Sequence, residues 1–249
     1  MNTALHVLYR DEHYIAIHKP AGLLVHRSEI DRHETRFAIQ MLREQIGQMV
    51  WPVHRLDRGT SGVLLFALDR EALALASKIF ESGEIEKTYL AVVRGWPDKA
   101  GVIDYALSRQ YDDHERQPDT ISPPQEARTR FERLATVGLP IAVDRYPTSR
   151  YALLRLYPET GRRHQIRRHL KHIAHPIIGD STHGKGVHNR MFAEHFGCQR
   201  MLLICEALRL PHPLTSKMLH LQTQPDADFA VLLQKLGWDA ALQTSGNHT

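Results

Sequence analysis

The sequence predicts an α+β fold. Its strand-like segments come in adjacent runs and do not alternate strictly with helices. The helical patterns are few and short, and the run Gly62-Val63-Leu64-Leu65-Phe66-Ala67-Leu68 reads as a strand covered on both faces. One domain is expected over residues 1–242, with a polar tail at 243–249.

The elements follow in order. Residues 4–18 read as two short strands around a turn at Asp11-Glu12, and Lys19-Pro20-Ala21-Gly22 ends the second, because a proline cannot donate to a ladder. Residues 36–47 show helical spacing through Phe37, Met41 and Ile46, with Gly47 as the stop. A helix rich in Ala, Leu and Glu is expected over 70–82, ended by Gly83, and a strand over 86–95. The polar, proline-bearing stretch 108–126 is expected to be a long surface loop that divides the fold into halves. Strands resume at 127–137 and 150–157. A helix is expected at 163–174, with Ile166, Leu170, Ile173 and Ala174 as its apolar stripe and Arg163, Arg167 and Lys171 on a neighbouring face. Strands at 201–210 and 218–222 close the fold.

Composition narrows the function classes. In 249 residues the hydrophobic fraction is 42% and the charged fraction 24%, as in an ordinary globular protein. There is no apolar run of membrane-spanning length and no signal-peptide pattern, so a cytoplasmic protein without a membrane partner is expected. Two cysteines, Cys198 and Cys205, are too few for a disulfide framework. The formal charge is only +4, but Arg145, Arg150, Arg155, Arg162, Arg163, Arg167, Arg168 and Lys171 face one acid, Glu159, in a single stretch. That local field suits a polyanion, or else it is a solvated basic face.

Two segments carry chemistry. His54-Arg55-Leu56-Asp57-Arg58-Gly59-Thr60-Ser61-Gly62 gathers an acid, two arginines and two hydroxyls just ahead of a buried strand. An aspartate flanked by arginines is held ionised, fit to act as nucleophile or base, or it simply caps a turn. In Thr160-Gly161-Arg162-Arg163-His164-Gln165-Ile166-Arg167, Thr160 can cap a helix start and Gly161 permits a tight backbone. A helix N-terminus with arginines suits a phosphate or a catalytic carboxylate, or is an amphipathic helix with a basic solvent face.

These segments resemble the RluA-type RNA pseudouridine synthase family. His54-Arg55-Leu56-Asp57 with Thr60-Ser61-Gly62 resembles its signature, and Gly161 to Arg167 its G-R-x-H-Q-[IL]-R motif. Lys19-Pro20-Ala21-Gly22, Lys87-Thr88-Tyr89 and His175-Pro176-Ile177-Ile178-Gly179-Asp180 resemble three further blocks, in the family's order between about residue 5 and residue 222. The segments 24–28, 145–151 and 189–197 are similar to the branch that modifies uridine 65 of tRNA. One departure stands out: Ile204 occupies the place of a histidine common in the family.

The resemblance implies a mixed, mostly antiparallel sheet with a central cleft, and an isomerase that needs no cofactor. It implies Asp57 as the essential carboxylate, Arg167 as its ion-pair partner, and Tyr89 stacked on the target base. A uridine within a stem would have to be flipped out, with Arg55 filling the gap. Lys19, Lys87, Arg162 and Arg163 are candidates for phosphate contacts. No small RNA-binding module precedes the resemblance, so this domain is expected to grip RNA itself, as a monomer, with tRNA as substrate.

Rival readings are a metal site among His164, His169, His172 and His175, a non-catalytic RNA-binding protein, a glycoside hydrolase, and a synthase acting on ribosomal RNA. No H-E-x-x-H occurs among the 17 histidines, and a structural or RNA-facing role is expected for them. A glycoside hydrolase calls for paired carboxylates, and no second acid stands out near the motifs. The segment 183–200 is read either as an RNA-docking element or as a plain surface insertion.

Overall fold

A computed structural model describes residues 4–26, 34–110 and 122–243. The first hairpin is β1 (His6–Arg10) and β2 (Tyr14–Lys19), and Asp11 closes its turn by accepting from the backbone N–H of His13 and Tyr14. Helix α1 (Ala38–Ile46) stops where Gly47 takes a left-handed conformation. A short β3 (Trp51–Pro52) leads to β4 (Ser61–Ala67), all of whose residues are buried. Asp69 caps α2 (Arg70–Ser82) through the Ala72 N–H. Then come β5 (Glu86–Arg94), β6 (Ala100–Asp104), β7 (Arg128–Leu139), β8 (Ser149–Pro158), α3 (Gln165–His172), α4 (Gly186–Phe196), β9 (Leu203–Pro211), β10 (Met218–Gln222), α5 (Ala227–Lys235) and α6 (Asp239–Gln243).

The strands form one mixed sheet in the order β1-β2-β4-β9-β5-β8-β7-β6, with β3 on β4 and β10 on β9. Pairing between these strands is antiparallel except between β4 and β9, which touch in parallel at Ser61–Ile204 and Gly62–Cys205. That contact joins the two halves of the sheet. It requires a glycine: Gly62 has φ +111°, and a Cβ there would sit 2.1 Å from the Cys205 carbonyl oxygen.

Three apolar clusters hold the layers. The first joins β1, β2 and β4 to α1 and α2. In the second half, alternation along β8 sends Tyr151 and Leu153 to one face, against Phe192 of α4 and Phe229 of α5. It sends Ala152, Leu154 and Leu156 to the other face, against Ile166 and Leu170 of α3.

Several expectations change. Helix α3 is shorter than 163–174, and Ala174 is exposed with φ +64°. The segment 183–200 is not a plain surface insertion, since α4 buries His188, Met191 and Phe192. Its pattern is weakly amphipathic, because the buried His188 pairs with Tyr151 at 2.8 Å and so counts as polar in any periodicity. Strands β3 and β6 and helices α5 and α6 were not anticipated, and α6 carries regular structure to Gln243, the first residue of the expected tail. The middle of the expected 108–126 loop, residues 111–121, lies outside the described residues, while Leu107 and Gln125 pair at its base.

Phe229 is fully buried between sheet and α5. Phe229→Ala should therefore cost about 3–5 kcal/mol, read as a lowered denaturant midpoint at unchanged slope.

Candidate active site

The seam between β4 and β9 presents the signature loop. The fully buried β4 fixes one end, and the loop is tied along its length. The backbone N–H of Leu65 donates to His54 Nε2 at 3.1 Å, and the His54 ring stacks on Phe80 of α2. Thr60 N–H closes a turn on the Asp57 carbonyl at 3.0 Å. Ser61 Oγ accepts from Arg200 Nη2 at 2.5 Å, and Arg200 is paired in turn with Asp226, which holds His18 at 2.8 Å.

The Asp57 side chain lies at the floor of a cleft and retains 29% exposure. Arg167 Nη1 donates to Asp57 Oδ2 at 3.0 Å. The fork of Arg167 is given to another acid: Nε and Nη2 donate to the two oxygens of Asp180 at 2.7 and 2.8 Å. Asp180 also accepts from the backbone N–H of Thr182 and His183, at 2.9 Å each. Burial would raise the Asp180 pKa, but these bonds and the Arg167 charge outweigh it and hold the carboxyl below its ordinary range. Arg167 is thus bidentate to Asp180, and its expected partner Asp57 receives one arm.

His164 borders the other oxygen, with its Nε2 3.9 Å from Asp57 Oδ1. Its Nδ1 shares a hydrogen bond with His183 Nε2 at 3.1 Å. Burial lowers the His164 pKa to about 4, against the pull of Asp57 and with the push of Arg167, and burial also lowers His183. Both rings are neutral at pH 7, so one donates and the other accepts.

Tyr89 rises from β5 into the cleft, half-buried. Burial pushes its phenol pKa well above the ordinary value, and its neighbours Cys205, which hydrogen-bonds the hydroxyl, and Asp57 push the same way. The cleft has a volume of about 740 Å³, within the range of small-molecule sites, and Lys87, Arg162 and Phe80 also line it. Two more cavities meet it at Arg55, Asp57 and His164.

The structure thus brings Asp57, Tyr89 and Arg167 together. Exposed Arg55 stands at the junction, and Arg162 and Arg163 are exposed beside it. Lys19 is a correction. It is fully buried, and its ammonium donates to the carbonyls of Pro20, Leu23 and Arg58 at 3.0, 2.8 and 3.3 Å, out of reach of a phosphate. Arg58 bonds Glu34 and the Gly22 carbonyl, and the guanidinium bonded to Asp57 is that of Arg167, from α3. Arg167 is buried, not part of a solvent face with Arg163 and Lys171. Thr160 does not cap α3. Its hydroxyl joins Arg128 N–H to the Gln165 side chain, and the cap position falls to His164, which takes the left-handed conformation in place of Gly161.

Asp180 was missed as a site residue. Its place in the His175–Asp180 block was a signal, but a carboxylate more than ten residues beyond Arg167 declares its partner only in three dimensions. The other histidines have separate partners: His169 bonds Thr129 and the Tyr105 carbonyl, His172 stacks on Tyr105, and His175 bonds the Arg94 carbonyl. Among the described residues no group of three His, Cys, Asp or Glu side chains is arranged to hold a metal, and no helix is long and apolar enough to cross a membrane. Ile204 is buried on β9 beside Ser61, as packing.

Residues 13–172 match the RNA pseudouridylate synthase family. The chain is 48% identical over 241 residues to the tRNA pseudouridine synthase C of Vibrio cholerae, covering 96% of this chain and 98% of that one. It is 49% identical over 235 residues to the protein of the same name from Yersinia pestis, covering 94% and 91%. Among solved structures, human RNA Pseudouridylate Synthase Domain Containing 1 superposes with a TM-score of 0.69 at 24% identity, over 97% of this chain and 89% of that one. The Domain Containing 4 structure gives the same score and identity over 93% of both chains. These two likenesses establish the fold.

Burial holds the Lys19 pKa down to about 7, against the field of Asp57, from 10.5 for the free side chain. Lys19→Met should cost about 2–3 kcal/mol by orphaning the Pro20 and Leu23 carbonyls, with no change in the salt dependence of RNA binding. Because the unfolded chain binds this proton and the folded chain releases it between about pH 7 and 10.5, wild-type stability should rise relative to the variant across that window, measured as denaturant midpoints.

Proposed function

The chain belongs to the RNA pseudouridylate synthase family, and from that premise we propose that it isomerises a uridine of tRNA to pseudouridine, with Asp57 as the essential carboxylate. The reaction breaks the N1–C1′ bond, turns the base and rejoins it to the sugar through C5. The C5 proton leaves and N1 gains one, so atoms and electrons balance without a cofactor.

The observation that carries this reading is the Asp57–Arg167–Asp180 arrangement on the cleft floor. Asp57 is anchored through one oxygen, while Oδ1 accepts no hydrogen bond from the described residues. An anchored carboxylate with one free oxygen serves either route, attack on the substrate or removal of a sugar proton, because both begin from the ionised acid. Tyr89 offers a ring face for the flipped base. Its raised pKa keeps the phenol neutral, which favours stacking over a resting role as base.

Reaching this floor requires a stem uridine to leave its stack, at a cost of a few kcal/mol. Arg55, exposed where three cavities meet, is placed to fill the gap. Lys87, Arg162 and Arg163 supply the cations beside it. The finer assignment, to position 65 of tRNA, rests on the segments 24–28, 145–151 and 189–197, of which residues 27 and 28 lie outside the described residues; action as a cytoplasmic monomer completes the proposal.

The test uses unmodified tRNA and ribosomal RNA transcripts, with pseudouridine mapped by carbodiimide-blocked primer extension. Wild type should modify tRNA at one site. Asp57→Asn should bind tRNA with unchanged affinity and form no product. Product at the wild-type rate from that variant would refute the catalytic role, and modification of ribosomal RNA alone would refute the substrate.

A further inference from the structure

We propose that Trp96, Arg145, Tyr146 and Arg150 form a second RNA-binding surface, at the end of β8 remote from the cleft, that grips the duplex part of the substrate. The inference rests on the functional reading above and extends it to a surface that the catalytic motifs do not touch.

Strand β8 connects the two places. Its end at Pro158 lines the cleft. Arg150 has the same parity as Ala152, Leu154 and Leu156, which pack under α3, so it emerges on the same face of the sheet as the cleft. Eight residues at about 3.3 Å each place it roughly 26 Å from Pro158.

The local chemistry is that of RNA recognition. Trp96 is 44% exposed, and its indole N–H is pinned to the Val137 carbonyl at 3.1 Å. The ring lies across Gly138, directly opposite Arg150, where even a Cβ would come within 3.6 Å of it. The Arg150 guanidinium sits over this ring at 4.6 Å. In the turn leading to β8, Tyr146 is 50% exposed and the Arg145 guanidinium lies 5.0 Å from its ring centre. Asp98 and Asp144 are near in sequence, yet Arg145 and Arg150 each turn to an aromatic ring and neither pairs with a carboxylate among the described residues. Two arginines are therefore held in place with their charges uncompensated. The guanidinium charges meet the phosphates of a duplex, and the rings beneath hold them in position.

Such a pairing would also suit a protein partner. Alignment of Arg150, and of the Trp96 ring under it, with the cleft on one strand and one face favours RNA. A stem whose uridine enters the cleft extends as a rigid duplex, and the cleft face of the sheet is the surface along which it can lie.

The test compares a full-length tRNA transcript with a stem-loop cut to the few base pairs around the target uridine. The variants are the double change Arg145→Ala with Arg150→Ala and, separately, Trp96→Ala, with unfolding midpoints to confirm that each folds. For full-length tRNA, each variant should lose at least about fivefold in affinity. The double variant should also flatten the slope of log Kd against log salt by about 1–2. The single-turnover rate at saturating RNA, and affinity for the short stem-loop, should stay at wild-type values. Equal losses on both RNAs would overturn the proposal by placing the effect at the cleft. Unchanged tRNA binding would overturn it by assigning the patch to another partner. A wild-type enzyme that modifies no RNA would overturn the function itself, a result distinct from both.

Discussion

The site depends on how one buried guanidinium is divided. Asp180 takes both arms of the Arg167 fork and is itself fixed by two backbone N–H groups. Arg167 is thereby locked in orientation before Asp57 is considered. The arm left over points to one oxygen of Asp57. Were the fork turned to Asp57, both of that acid's oxygens would be occupied and its charge spent. The acid–arginine–acid trio carries a net negative charge next to the cleft, and the neutral His164–His183 pair does nothing to cancel it. A buried pair is costly to desolvate and unreliable as a source of stability. Its value here lies in holding Asp57 without neutralising it.

The loop that carries Asp57 is held from beneath by contacts that depend on the seam between the halves. Gly62 lets β4 approach β9 closely enough for a two-residue parallel pairing, and Gly179, with φ +80°, makes a similarly close approach to the Arg200 carbonyl beside Asp180. Arg200 spans the gap, joining Ser61 to Asp226 at the start of α5, and Asp226 returns to His18 on β2. Burial of Asp226 works against its charge, yet its bonds to His18 and Arg200 pull the carboxyl pKa down strongly. Helix α5, the first hairpin and the catalytic loop are thus one electrostatic unit.

Periodicity read most elements because it reports burial of a face. The continuous apolar run of β4, and α2 with its stop at Gly83, were legible from residue type alone. Helix α4 was not, because one of its buried positions is a histidine satisfied by a tyrosine from β8. In the site, Asp57, Tyr89 and Arg167 could be named from motifs, but their geometry could not. A motif lysine looks the same whether it meets phosphate or three backbone carbonyls, and only the turn at Pro20–Leu23, whose carbonyls fold onto the buried ammonium, distinguishes the two for Lys19. Asp180 was hidden for the complementary reason: a carboxylate directly after a glycine reads as turn chemistry until its partner is seen.

Burial also resolves the apparent conflict between a formal charge of only +4 and a polyanionic substrate. Apart from the half-buried Arg168, which donates to the Ser108 carbonyl, the arginines of the basic stretch fall into two groups. Arg155 and Arg167 are buried against Glu206 and the Asp57–Asp180 pair, so their charge is consumed internally. Arg145, Arg150, Arg162 and Arg163 are exposed, and Arg145 and Arg150 rest on aromatic rings. Net charge sums the two groups, whereas an RNA backbone meets only the second. Phosphate attraction depends on the charges that reach solvent on one face, so a nearly balanced chain can still present a cationic track from the cleft along β8. The buried arginines fix the chemistry at one uridine, and the exposed ones govern how the rest of the RNA is held.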